Sequence, residues 1–415
     1  MDIPLSLPFL MDGATGTELQ KRGMPPGACT EQWALDHPEK LLELQRAYVE
    51  AGADVLVTPT IGANRGALEK FGLEGELENY NRALTALTRQ AAGGKALVAG
   101  DLGPTGKAIP PYGDTPFEEL VDLYAEQAAV LLDAGVDLFL VESVMAMAEA
   151  RAAVLGIRKA GGGDKPILVT CYCDEEGRTP TGTDVLACAI VMQGMGAAAF
   201  GLNCVDPAVA EEQLTRLHQY TDMPLIAEPS AGLLAEGADG RNLYQDNVEE
   251  FSNRAPSWAA AGVRIFGGCC GTHPGHIRAL KKALEEIDFS AFPPVEKDPD
   301  VIPCASEKEA RFITPDVDVG ETIRCGPDLM EDILEAEEER PVGAMRIAIL
   351  EEDDLEIFAE EQYAVKDALC IWSDVPELME GALRAYQGRA FYDGTADLEP
   401  EVLDRLSREY GLILL

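Results

Sequence analysis

Residues 265–271 read Ile-Phe-Gly-Gly-Cys-Cys-Gly, a short apolar run that closes on glycines bracketing two adjacent cysteines. A run of this length bounded by turn residues predicts a strand buried on both faces. Seven stretches upstream share its form: Phe9 to Gly13, Asp54 to Thr60, Ala96 to Gly103, Asp137 to Ser143, Pro166 to Cys173, Ala198 to Cys204 and Pro224 to Ala231. Between them Glu39 to Ala51, Phe117 to Ala134, Ala146 to Lys159 and Val209 to Tyr220 carry apolar residues at three- and four-residue spacing, the period of a helix with one buried face. Gly52 and Gly135 stand where two of these helices end. Eight βα units predict an α/β protein built on a closed (βα)8 TIM barrel, here assigned to residues 1–290. The rival is a doubly wound open sheet, but no Gly-x-Gly-x-x-Gly follows a strand to support it. Gly161 to Gly163 lacks the Lys and hydroxyl spacing of a phosphate loop and reads as a turn.

From about Pro293 the texture changes. Residues 291–340 are Pro-rich and then charged, ending in Glu331 to Glu339, and read as an acidic linker with a solvated helix face. Beyond it Met345 to Leu350, Ala368 to Ser373, Ala390 to Gly394 and Leu412 to Leu415 predict strands, with helices at Val375 to Tyr386 and Pro400 to Tyr410. Residues 341–415 are therefore expected to form a small α/β extension. The formal charge of the whole chain is −40, and residues 291–415 hold 32 acidic against 11 basic residues. Such a balance repels phosphate backbones and anionic lipid, so nucleic acid and membrane surfaces are excluded as expected partners. No basic segment leads into an apolar core at the N-terminus, and no apolar run approaches the ~20 residues that span a bilayer, so a cytoplasmic location is expected.

Ten cysteines in 415 residues are too sparse for a disulfide scaffold, and two of them are adjacent. Cys269 and Cys270 end the eighth predicted strand, and Cys204 ends the sixth in Gly-Leu-Asn-Cys. In a parallel barrel the C-terminal strand ends open on one rim, which brings these sulfurs together. Three thiolates with an open fourth position are the ligand pattern of a catalytic Zn2+, because a structural site closes with a fourth Cys or His. Cys171 and Cys173 read as core or rim. Thr272-His273-Pro274 reads as a helix start with Thr272 as the N-cap, which argues against His273 as a ligand. Asp12 and Glu142 end strands one and four on the same rim, where carboxylates suit the ammonium of an amino-acid substrate; Asp101 and Glu228 are placed similarly on strands three and seven.

At these residues the chain resembles the homocysteine S-methyltransferase family, which includes the homocysteine module of cobalamin-dependent methionine synthase and betaine–homocysteine methyltransferase. The resemblance spans roughly residues 8–285. It rests on Asp12-Gly-Ala-Thr-Gly-Thr-Glu18, Ala99-Gly-Asp-Leu-Gly-Pro104, Glu142, Gly201-Leu-Asn-Cys204 and Gly267-Gly-Cys-Cys-Gly-Thr-His-Pro-Gly-His-Ile277. It implies zinc on Cys204, Cys269 and Cys270, the homocysteine amino group on Asp12 and Glu142, and methyl transfer to the homocysteine thiol to give methionine. Two departures stand out: Thr58-Pro-Thr-Ile61 replaces the usual Thr-Asn-Thr-Phe, and Ser230 replaces an Asn at strand seven, so a fourth resting ligand is not implied. Trp372-Ser-Asp-Val, Ala382 to Asp393 and Tyr410 to Leu415 resemble part of the pterin-binding barrel of methionine synthases. No Asp-x-His-x-x-Gly corrinoid motif is present, so the expected donor is a methylated corrinoid protein acting in trans, with S-methylmethionine or betaine as the alternative. A non-catalytic zinc- or thiol-binding subunit of a methyltransferase complex is the reading from another class.

Overall fold

Strands enclosed by a ring of helices must be apolar on both faces, and the eight runs meet that need. In the computed structural model, which describes residues 3–236, 242–339 and 343–415, they form β1 (Phe9–Leu10), β2 (Val55–Val57), β3 (Leu97–Leu102), β4 (Leu138–Val144), β5 (Ile167–Cys171), β6 (Ala199–Asn203), β7 (Leu225–Glu228) and, after a short hairpin of β8 (Leu233–Glu236) and β9 (Asn242–Tyr244), β10 (Val263–Phe266). The strand order is β1-β10-β7-β6-β5-β4-β3-β2, all parallel. A parallel bridge from Met11 to Val55 joins the two ends and closes the barrel. Phe9, Val55, Leu138, Leu140, Leu168, Ile226 and Ile265 fill the interior, while the outward faces pack under the helices. Among the described residues no helix is long and apolar enough to cross a membrane.

The predicted helices are present as Pro38–Ala51, Phe117–Asp133, Met147–Lys159 and Pro207–His218. The first ends on Gly52 with φ +104°, a left-handed cap that a Cβ would penalise. One expectation is corrected: the helix Pro274–Glu285 is capped by His273, whose Nδ1 accepts the Gly275 N–H at 3.0 Å, and His276 Nδ1 accepts the His273 N–H at 3.3 Å. Thr272 is spent elsewhere, accepting from the Ala14 N–H and donating to Cys269 O.

The stretch read as an acidic linker carries more structure than its composition signals. It holds an antiparallel hairpin, β11 (Ile302–Ala305) and β12 (Ala310–Ile313), then β13 (Thr322–Arg324) and the helix Leu329–Glu339. With β14 (Ala344–Ala348), β15 (Ala368–Trp372), β16 (Phe391–Tyr392) and β17 (Ile413–Leu414), β13 forms a five-stranded parallel sheet in sequential order. Cys304 and Ile313 of the hairpin join Ala368, Cys370, Phe391 and Ile413 in one apolar cluster on this sheet.

The second sheet is docked on the barrel through three arginines, of which Arg151 is fully buried. Arg151, on Met147–Lys159, donates to Leu383 O at 2.7 Å, Arg384 O at 3.2 Å and Gln387 Oε1 at 3.1 Å. Two of these acceptors are carbonyls at the C-terminal end of the helix Pro376–Ala385, where a cation is favoured. Burial lowers the Arg151 guanidinium to about 10. Arg158 donates to Glu409 O at 2.8 Å, and Arg178 pairs with Glu309 through both nitrogens. Arg151→Met keeps most of the volume but leaves those carbonyls unpaired in the interface. It is expected to cost about 2–3 kcal/mol in chemical denaturation and to expose residues 293–300 to protease. An unchanged midpoint and cleavage pattern would mean that Arg151 does not hold the interface.

Candidate functional site

Asp12 follows β1, Asp101 lies in β3, Glu142 in β4 and Glu228 at the end of β7, while Cys204 directly follows β6 and Cys269 and Cys270 follow β10. All stand at the C-terminal rim, because each strand runs in the same direction around the barrel. The backbone remains tied beyond the strands: Cys204 N–H donates to Glu228 O, Gly268 N–H to Asp12 O, and Cys269 N–H to Pro229 O. Two glycines make this packing possible. A Cβ on Gly201 would strike the carbonyl of Ile226, and one on Gly271, whose φ is +85°, would strike the ring of Tyr244.

These residues line one cavity of about 400 Å³, which also takes in the Gly13 to Thr17 loop, Val57 to Pro59, Ile61, Leu140 and Met145. The ligand atoms of Cys204, Cys269 and Cys270 lie within 4.8 Å of one another, and these three form the one candidate metal-binding group among the described residues. Cys204 and Cys269 are paired as a disulfide in this structure, with Cys270 Sγ 3.3 Å from Cys204 Sγ. Tetrahedral zinc with Zn–S bonds of ~2.3 Å needs sulfurs ~3.8 Å apart; the donor set fits such an ion in kind, and Cys204 and Cys269, which stand closer than that as paired here, would hold it as two separate thiolates. His273 is not in the group; its Nε2 faces Asp246. Cys171 and Cys173 are buried free thiols outside it.

Among the described residues no Lys, Arg or His lines the cavity, and burial pushes Asp12, Asp101, Glu142 and Glu228 above the usual carboxylate range. Asp101 and Glu142 are neighbours, and the Glu142 carboxylate pushes the Asp101 carboxyl up further, beyond the effect of burial. Asp12 Oδ2 accepts the Val57 N–H at 3.1 Å. One oxygen each of Asp101 and Glu228 is buried without a hydrogen-bond partner. Two unpartnered acceptors, with no basic side chain among the described lining residues, suit a ligand that brings N–H donors. Burial also raises the Cys270 thiol, so a thiolate there needs a positive partner.

Two residues were not singled out from the sequence. Asn203, fully buried at the end of β6, contacts Glu142, Ser143 and Cys269. Tyr244, in β9, is a hydrogen-bonding neighbour of the Cys270 thiol, and its own hydroxyl is pushed up to about 12, mainly by burial. Asn203 lies inside Gly-Leu-Asn-Cys and was legible as part of that motif; Tyr244 has no local signature.

Glu228 supplies a pH-linked prediction. An acid whose pKa is raised by folding stabilises the fold below its unfolded pKa of about 4.3 and loses that contribution as pH rises through the folded value. Glu228→Gln removes this penalty. It is expected to raise the melting temperature at pH 8, by about 2–4 °C for each kcal/mol relieved, and to change it little at pH 4. A variant less stable at pH 8 than at pH 4, each relative to the parent, would contradict the assignment.

Fold and rim together define the class: a (βα)8-barrel enzyme with a thiol-lined candidate metal centre beside a buried acidic pocket. The sequence model of the homocysteine S-methyltransferase family matches residues 9–284. The chain belongs to the homocysteine S-methyltransferase family, enzymes that methylate the sulfur of homocysteine. It is 32% identical over 305 residues to methionine synthase of Mycobacterium leprae, covering 69% of this chain and 25% of that one. It is 33% identical over 296 residues to methionine synthase of Mycobacterium tuberculosis, covering 66% and 24%. The chain thus spans about a quarter of the length of these relatives. The crystal structure of the metallated homocysteine methyltransferase MmuM of Escherichia coli superposes with a TM-score of 0.56 at 27% identity, covering 66% of this chain and 95% of that one.

Proposed function

We propose that the barrel binds Zn2+ through Cys204, Cys269 and Cys270 and methylates homocysteine to methionine. The observation that carries this reading is the convergence of three sulfurs from two distant stretches of chain at the rim. Zn2+ held there would let a substrate thiol, with an ordinary pKa of ~8.5, be present as its nucleophilic thiolate at neutral pH. The chain's own residues do the rest. Asp12 and Glu142 receive the ammonium, and the Gly13 to Thr17 loop, which faces the same cavity, is where the carboxylate would lie. Leu140, Val57, Ile61 and Met145 exclude water around the reacting sulfur. The methyl group is displaced directly onto sulfur, and the donor leaves with the electron pair of the broken bond. In this reading residues 1–290 are the catalytic barrel, and the sheet of β13 to β17 with its β11–β12 hairpin is an appended α/β unit that takes in part of the stretch before residue 341.

The donor in this proposal is a methylated corrinoid protein acting in trans, supported by the similarity to methionine synthases and by the sequence of the C-terminal unit. A second reading, a small cationic donor such as S-methylmethionine or betaine, is favoured by the buried carboxylates with no basic side chain among the lining residues. Metal analysis followed by zinc-edge absorption with and without homocysteine tests the acceptor: an added sulfur ligand supports the proposal, and full loading with no change favours a non-catalytic zinc-binding subunit. Assays with each donor in turn test the rest. Methionine formed from a free sulfonium or betaine alone would rule out the corrinoid arm.

A further inference from the structure

Ser143 and Cys204 are the two non-glycine residues with left-handed backbone, φ +59° and +57°, among the described residues. They stand where β4 and β6 reach the rim, and side chains seldom tolerate this conformation unless neighbours hold it. Asn203 lies between them. Its Oδ1 accepts the Ser143 N–H at 3.2 Å, and its Nδ2 donates to Ser143 Oγ at 2.6 Å and to Glu142 Oε1 at 2.9 Å. Cys269 Sγ lies 3.8 Å from the same nitrogen and 3.7 Å from Glu142 Oε1. One rigid, fully buried carboxamide thus touches an acid at the ammonium seat, the strained turn that carries it, and a sulfur of the metal seat.

We infer that Asn203 is a positioning residue that fixes the spacing between the seat for the homocysteine ammonium, at Glu142, and the seat for its sulfur, beside Cys269. The inference rests on the proposed function, since it concerns how the two ends of that substrate are held together. A carboxamide suits the task where an acid does not. Its two N–H groups point towards acceptors that otherwise repel one another, and its oxygen simultaneously accepts the backbone N–H of Ser143. Homocysteine fits only when both of its ends find partners at once, so loosening Glu142 by a fraction of an ångström weakens binding of the whole molecule.

The test uses the full chain loaded with Co2+, whose sulfur-to-metal absorption reports homocysteine binding without turnover, beside thermal melting of the metal-free protein. Asn203→Asp keeps the shape and the oxygen that meets Ser143 but removes the N–H donors. Homocysteine binding is expected to weaken by about ten- to a hundredfold while metal content is retained. In a Glu142→Gln background the same substitution is expected to change binding by no more than about twofold, because the group it positions has lost its charge. Asn203→Ser, uncharged and smaller, carries the same expectations if the carboxylate variant does not melt cooperatively. Parent-like binding by the variants, or equal losses in both backgrounds, would overturn the inference. A parent protein whose cobalt spectrum ignores homocysteine would instead sink the proposed function and this inference with it, a distinguishable result.

Discussion

Cys269→Ala and Cys270→Ala proteins are expected to emerge from purification with almost no bound zinc and to form methionine at least about a thousand times more slowly than the parent. The magnitude follows from position: groups that only support a metal ligand typically cost 10–100-fold when removed, so loss of a direct thiolate must exceed that. Two sulfurs alone leave the ion short of the charge and donors that retain it. Folding should survive, because the barrel is built on the apolar interior around Leu140, Leu168 and Ile226 and not on the rim. Metal analysis and circular dichroism on the same samples separate the two effects. A variant that keeps both its zinc and its turnover would remove the central assignment.

Glu142→Gln is expected to raise the KM for homocysteine by about 10–100-fold, the equivalent of one lost charge-assisted hydrogen bond of ~1.5–3 kcal/mol. The kcat should fall far less, since the ammonium is held alike before and during methyl transfer. Glutamine keeps the contact to Asn203 and the shape of the pocket, so the change isolates the charge. Steady-state kinetics over a range of homocysteine checks this. A kcat that collapses at unchanged KM would move Glu142 from substrate binding to the chemical step.

The sequence was most legible where the physics is periodic. Every one of the eight runs lies on a barrel strand, because a strand buried on both faces must be apolar throughout and helices with one buried face must repeat every 3.6 residues. The short strands β11, β12 and β13 were not legible: Ile302-Pro-Cys-Ala305 and Ala310-Arg-Phe-Ile313 are stabilised by pairing with each other and by the sheet they cover, and neither has a pattern of its own. The cap of the last barrel helix went to His273 instead of Thr272, since Thr272 is drawn away by Ala14, a residue 258 positions distant in sequence.

For the candidate site the same division holds. Residue identity at the strand ends, together with the rule that parallel strands open on one rim, was enough to group Cys204, Cys269 and Cys270 and to bring Asp12 and Glu142 alongside. What sequence alone determined is therefore the barrel and the chemistry gathered at its mouth, because both follow from local pattern and from a fixed strand direction. What only the tertiary structure decided is how those groups act on one another: the upward push of Glu142 on the Asp101 carboxyl, the carboxamide of Asn203 between acid and sulfur, and the seat of Arg151 on a helix end more than two hundred residues away. Those depend on distances and on burial, which set charge and hydrogen bonding through surroundings that no run of neighbouring residues specifies.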